Sequence, residues 1–62
     1  MAIHVGYDDM DQANEIMEDS DLEEGCRRSY PPHGCTFKFH DPMDEEEFTT
    51  KLTRHRVPYE EI

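Results

Sequence analysis

Cys26, His33, Cys35 and His40 are the residues of this 62-residue chain best suited to hold a metal. All four side chains are zinc donors, and a domain this small gains much from a structural metal. Their spacing, C-x6-H-x-C-x4-H, lacks the two close pairs of a common zinc finger. A hairpin turning at residues 31–34 would also set Cys26 several rungs away from Cys35. The spacing therefore favours two reduced, half-buried thiols over a shared zinc or a disulfide, with a small zinc-binding module as an alternative. A calcium loop is tested by Asp19, Asp21 and Glu23, which alternate as loop ligands do. The glycine then falls at 25 instead of 24, and Tyr30 stands where a bidentate glutamate should close the loop. His4, His33, His40 and His55 show no paired spacing, and no nucleophile–base arrangement is legible. The expectation is a non-enzyme with no cofactor and no resident metal.

Carboxylates are the other chemical resource. Between Asp8 and Glu24 stand Asp8, Asp9, Asp11, Glu15, Glu18, Asp19, Asp21, Glu23 and Glu24, with no Lys or Arg among them. Asp44, Glu45, Glu46 and Glu47 follow in a second block, and Glu60 and Glu61 in a third. The chain holds 16 acids against 6 Lys and Arg, for a formal charge of −10. Ordinary solubility is served by a net charge of about 2–8 with both signs interspersed. A single-sign block repels itself, by a few tenths of a kcal/mol for each like-charged helical neighbour. Solvation of outer faces is the plain explanation. A functional acidic face is the stronger one, because large single-sign fields steer and select partners.

That charge repels nucleic acid, so direct DNA or RNA binding is excluded as an expectation. It suits instead a basic nucleic-acid-binding protein or complex. Carboxylates a helical turn apart imitate phosphate rows, and the Arg and Lys that hold phosphate also accept carboxylate, Arg often through two parallel bonds. The thirteen acids of the first two blocks are the expected partner-binding residues. Charge reversal there should weaken binding without unfolding the domain. No apolar run approaches a bilayer span, and the N-terminus lacks the layout of a signal peptide, so a cytoplasmic, monomeric or weakly dimeric protein is expected.

The elements that must position these groups follow from periodicity. Mean hydropathy is −1.02, yet the apolar residues are ordered along the chain and not scattered. Ile3, Val5 and Tyr7 alternate, as in a half-buried strand. From Asp8 to about Asp19 the stripe Met10, Ala13, Ile16 and Met17 predicts a helix, with Asp8 or Asp9 as its cap and Asp11, Glu15 and Glu18 in an outward row. Segments 26–30 and 35–40 predict two strands around Pro31-Pro32-His33-Gly34, a strong turn signal. Asp41-Pro42 opens a second helix, with acids in its first turns, Lys51, Arg54 and Arg56 at its end, and Phe48 and Leu52 buried. His55 is expected on or near its apolar side. Residues 57–62 predict a short edge strand, the least secure element. Arg27 and Arg28 are read as local charge compensation for Glu23 and Glu24.

The order β-α-β-β-α-β in one domain, residues 1–62, predicts an α+β fold. Its form would be a small antiparallel sheet of three or four strands with two helices on one face, ferredoxin-like in miniature. Mass scaling puts its folded surface at about 4,200 Å². If both helices cover one sheet face, their acidic outer rows should lie side by side.

In size and charge the whole chain resembles the small acidic inhibitors encoded by bacteriophages and mobile elements. Among these it is most similar to anti-CRISPR proteins acting against type I surveillance complexes, with a lean to type I-C. The resemblance implies a phage protein that binds a Cas subunit and prevents target-DNA recognition or nuclease recruitment. The alternative from another class is a protein–protein interaction module or accessory subunit that docks through Tyr, Phe and Met side chains without DNA mimicry.

Overall fold

Strand β1, Ala2–Gly6, carries the first apolar alternation: Ile3 and Val5 are fully buried while His4 is only half-buried. A computed structural model describes residues 2–62 of the chain. After β1 come α1 (Met10–Asp19), β2 (Cys26–Ser29), β3 (Gly34–Phe39), α2 (Pro42–Arg54) and β4 (Glu60–Glu61). One-turn 3-10 segments at Tyr7–Asp9 and Glu23–Gly25 lead into α1 and β2. The strands form one sheet in the order β2-β3-β1-β4, with every neighbouring pair antiparallel. The surface is 4367 Å², close to the value that mass scaling predicts.

The core joins the two layers. Ile3 and Val5 lie opposite Phe37 and Cys35 in the β1–β3 register, and all four are fully buried. Ala13, Ile16 and Met17 of α1 and Phe48 and Leu52 of α2 close over them. The Phe48 ring packs at a tilt on Phe37, centroids 4.8 Å apart, and on Phe39 at 5.5 Å. Such tilted pairs add to the burial energy of the rings, since the edge of one meets the face of the other. The opposite sheet face, with Thr36 and Lys38 of β3 and Arg27 and Ser29 of β2, carries no core residue.

Helix boundaries follow local chemistry. Asp41 caps α2 as expected: its Oδ1 accepts a hydrogen bond from the Met43 amide at 2.9 Å, with Pro42 opening the helix. Asp9 occupies the N-cap position of α1, one of the two residues expected there, but makes no side-chain cap bond, and Asp8 lies in the preceding 3-10 turn. Tyr7 likewise leaves the β1 face. The strand ends at Gly6, and Tyr7 turns outward to 71 % exposure.

Both helices end in the same motif. At α1 the Leu22 amide bonds Met17 O and the Asp21 amide bonds Glu18 O. At α2 the Val57 amide bonds Leu52 O and the Arg56 amide bonds Thr53 O. These are paired 6→1 and 5→2 closures, with buried apolar residues meeting across each: Met17 with Leu22, and Leu52 with Val57. The left-handed residue that each motif requires is Asp21 (φ 57°) or Arg56 (φ 60°), where glycine is usual. His55 consequently sits at the α2 terminus and is exposed, away from the apolar side where it was expected. The last strand is shorter than the sequence predicts. Only Glu60 and Glu61 pair with β1, opposite His4 and Ile3.

Gly34 starts β3 at φ +151°, and a Cβ there would collide with the Val5 carbonyl oxygen of β1. Gly34→Ala is therefore expected to lower stability by roughly 3 kcal/mol, through backbone strain and loss of central-strand pairing. Gly6→Ala, whose Cβ meets nothing within 4 Å, should change it by less than about 0.5 kcal/mol. Chemical denaturation of the two variants makes the comparison. Similar midpoints for both would remove the close approach as a constraint.

Candidate functional site

On α1 the stripe Ala13, Ile16 and Met17 faces inward, so helical geometry turns Asp11, Glu15 and Glu18 to solvent, and all three are exposed. Asp19, Asp21, Glu23 and Glu24 continue the exposed acidic run through the α1 terminus and the 3-10 turn, and Asp8 is exposed before it. Asp9 and Asp44 are half-buried. Glu46 and Glu47 lie on the outside of α2. The structure thus brings most of the expected acids to the surface.

Glu45 is the exception, and its place on the expected contact surface is corrected. Its residue is only 9 % exposed, and its Oε1 is enclosed without a hydrogen-bond partner. The signal was in the spacing. Glu45, Phe48 and Leu52 stand 3 and 4 apart, so the helix period that buries the two apolar residues also turns Glu45 inward.

The helices meet in opposite directions. Lys51 of α2 donates to Ser20 Oγ at the α1 terminus at 2.8 Å, while Asp44, a turn or two earlier on α2, has an Oδ2 close to Gly25. Their seam is a groove of about 270 Å³, lined by Glu15 and Asp19 from α1 and by Lys51, Arg54 and His55 from α2. The two acidic rows therefore do not run side by side along their length. Cations at the end of α2 stand beside the acids of α1, and the α2 acids gather where α1 gives way to the 3-10 turn. Lys51 also pairs with Glu47 at 3.4 Å, the one ion pair among the described residues.

Arg28 does not compensate Glu23 or Glu24. From β2 it reaches α1 and donates to Asn14 Oδ1 at 2.9 Å, tying the edge strand to the helix layer. Across the uncovered sheet face, His4 Nδ1 and Thr36 Oγ1 share a hydrogen bond of 3.0 Å. Four large apolar side chains are exposed: Tyr7, Tyr30, Met43 and Ile62. Of these, Met43 shares the outer side of α2 with Glu46 and Glu47.

Cys26 and Cys35 are both free thiols. Cys26 lies opposite Phe39 and Cys35 opposite Val5, so the hairpin register separates them as the turn position predicts. Cys26 is half-buried and Cys35 fully buried. Among the described residues, no group of three or more His, Cys, Asp or Glu is placed to hold a metal ion. Burial pushes the Cys26 thiol up from 9.0 to about 11, against the opposing pull of Arg28. Burial also raises Cys35, with Arg28 and a hydrogen bond from Tyr30 acting the other way.

No protein-family model matches the chain, and neither a curated protein nor a solved structure matches it. No helix among the described residues is long and apolar enough to cross a membrane.

Two outcomes follow from these side chains. Glu45→Met removes an enclosed, unpaired carboxylate oxygen and keeps the chain length, so it should stabilise the fold by about 1–3 kcal/mol, whereas Glu46→Met on the exposed side should stay within about 0.5 kcal/mol. Thermal midpoints decide this, and a destabilised Glu45→Met would mean that the carboxylate is satisfied in solution. Second, at pH 8 the Cys26 thiolate fraction should be on the order of 100-fold below that of an unshifted thiol, with iodoacetamide alkylation slowed to match until the chain is denatured. Because the folded-state value is raised, the stability tied to this thiol is held below about 9. It falls as pH climbs from there toward about 11, where the unfolded chain loses its proton first.

Proposed function

We propose that this chain is a non-enzymatic inhibitor of a nucleic-acid-binding bacterial complex, an anti-CRISPR protein whose acidic surface mimics DNA, binds Cas subunits and blocks target-DNA recognition. The observation that carries the reading is an exposed acidic run whose carboxylates form no ion pair within the described chain. Asp11, Glu15, Glu18, Asp19, Asp21, Glu23 and Glu24 are all exposed, and none makes an ion pair among the described residues. An arrangement that repels itself in the free protein is relieved when Arg and Lys of a partner displace the counterions. Asp8, Asp9, Asp44, Glu46 and Glu47 extend the contact. Glu45 does not take part.

The finer form of the fold belongs to the same proposal. A β-α-β-β-α-β chain with sheet order β2-β3-β1-β4 fits a ferredoxin-like domain in miniature, with both helices on one face. Such a layout puts the outward acids of α1, those of α2 and those of the turn after α1 on the helix side of the sheet, with the cations of the α2 end between them. A bacterial cytoplasmic setting and a monomeric state complete the reading.

The second reading, a docking module without mimicry, is favoured by Met43 and Tyr7, which are 75 % and 71 % exposed. An aromatic or Met side chain held outward is a candidate anchor for a partner pocket.

Salt and charge separate the two. A type I surveillance complex, type I-C first, is presented with its target duplex in a gel-shift assay at increasing inhibitor. Mimicry predicts loss of the shifted band, recovery of the band as salt slows inhibitor association, and inhibition weakened by about 10-fold or more in the folded triple variant Asp11→Lys, Glu15→Lys, Glu18→Lys. Target binding that stays intact at saturating inhibitor removes the anti-CRISPR assignment for that complex. Inhibition equal in the triple variant, but lost in Met43→Asp, would transfer the role to docking.

A further inference from the structure

Arg27 and Lys38 face each other directly across the β2–β3 ladder, on the sheet side that no helix covers. Like charges directly opposite on a sheet destabilise it. The pairing is conspicuous in a chain that has 16 acids available and only 6 Lys and Arg. Neither side chain makes an ion pair or a side-chain hydrogen bond among the described residues. Of the other four cations, Arg54 and Arg56 are likewise without an ion pair or a side-chain hydrogen bond among the described residues, and two are engaged. Arg28 is spent on Asn14, and Lys51 on Ser20 and Glu47. Beside the Arg27–Lys38 pair, His40 follows the end of β3, its backbone fixed by a hydrogen bond to Gly25 O at 3.0 Å. Arg27, Lys38, Phe39 and His40 together line a recess of about 190 Å³.

We propose that this recess is an oxyanion site that takes a small phosphate dianion. Arg27 supplies a planar fork of N–H donors, Lys38 a compact charge and His40 an imidazole donor. Two cations side by side match a doubly charged phosphate better than a singly charged carboxylate. Their mutual repulsion, a cost in the free protein, is removed when the anion sits between them. The outward α1 acids Asp11, Glu15 and Glu18 lie on the helix layer, across the sheet from the recess, whereas Glu23, Glu24 and Asp41 stand close to Arg27 and His40 along the chain and weaken the pull on an anion without neutralising either cation by an ion pair. The proposal is independent of the acidic-face reading, since it uses the opposite side of the sheet and none of the acids.

Titration of the full chain with inorganic phosphate, followed by amide NMR at constant ionic strength, tests it. The expected result is saturable shifts centred on Arg27, Lys38 and His40, with acetate binding at least about 10-fold more weakly. Arg27→Gln, an exposed substitution that leaves the core alone, should reduce phosphate affinity by about 10-fold or more. Lys51→Gln, in the seam on the other side, should leave it unchanged. Shifts that rise linearly without saturation, that are equal for acetate, or that persist in a folded Arg27→Gln variant would overturn the site. None of these outcomes bears on inhibition through α1, so the two readings fail separately.

Discussion

Ile3 and Val5 sit opposite Phe37 and Cys35 in the two central strands, and a slip of one residue would turn the apolar set of one strand to the open face. Phe37 is then the platform on which Phe48 of α2 packs, and the α1 stripe closes the remaining side of the same core. Gly34 lets β3 begin close against Val5. Charge placement depends on this pairing as well. Once the sheet has one buried face, each helix has one inward stripe, and the acids Asp11, Glu15 and Glu18 of α1 are forced outward. The acidic run is in that sense a product of core geometry as much as of composition.

Much of this was legible in the residues. Asp41-Pro42 marks the α2 start to the residue, because a cap oxygen and a fixed φ act locally. The stripe Met10, Ala13, Ile16 and Met17 and the Pro-Pro-His-Gly turn are equally local signals, and α1, β2 and β3 lie where they put them. The helix ends were harder to read, since Asp21 and Arg56 take the left-handed conformation without the glycine that advertises it. Tyr7 was misleading for a related reason. Alternation through Gly6 looks continuous, but the chain bends there into a 3-10 turn, and a sequence pattern does not record where a strand stops.

The candidate site divides along the same line. Outward placement of Asp11, Glu15 and Glu18 follows from helical period alone. What needed three dimensions was the direction in which the helices cross, which sets Lys51, Arg54 and His55 beside Glu15 and Asp19. Glu45 lay between these cases: its spacing to Phe48 and Leu52 pointed inward, while its neighbours in an acidic block pointed outward, and the period prevailed. Charge identity says what a residue would prefer, whereas its place on the helix says what it gets.

The sheet order has a consequence for how the chain comes together. β2 and β3 close over a four-residue turn, whereas joining β4 to β1 closes a loop of nearly the whole chain, and the entropy of closure rises with loop length. Two residue pairs reward that closure. Loop closure therefore opposes the β2–β3 hairpin less than it opposes the pairing of β4 with β1. The last few residues act as a latch on β1, held by these two pairs and by the Ile62 amide bonded to Ala2 O at 2.9 Å.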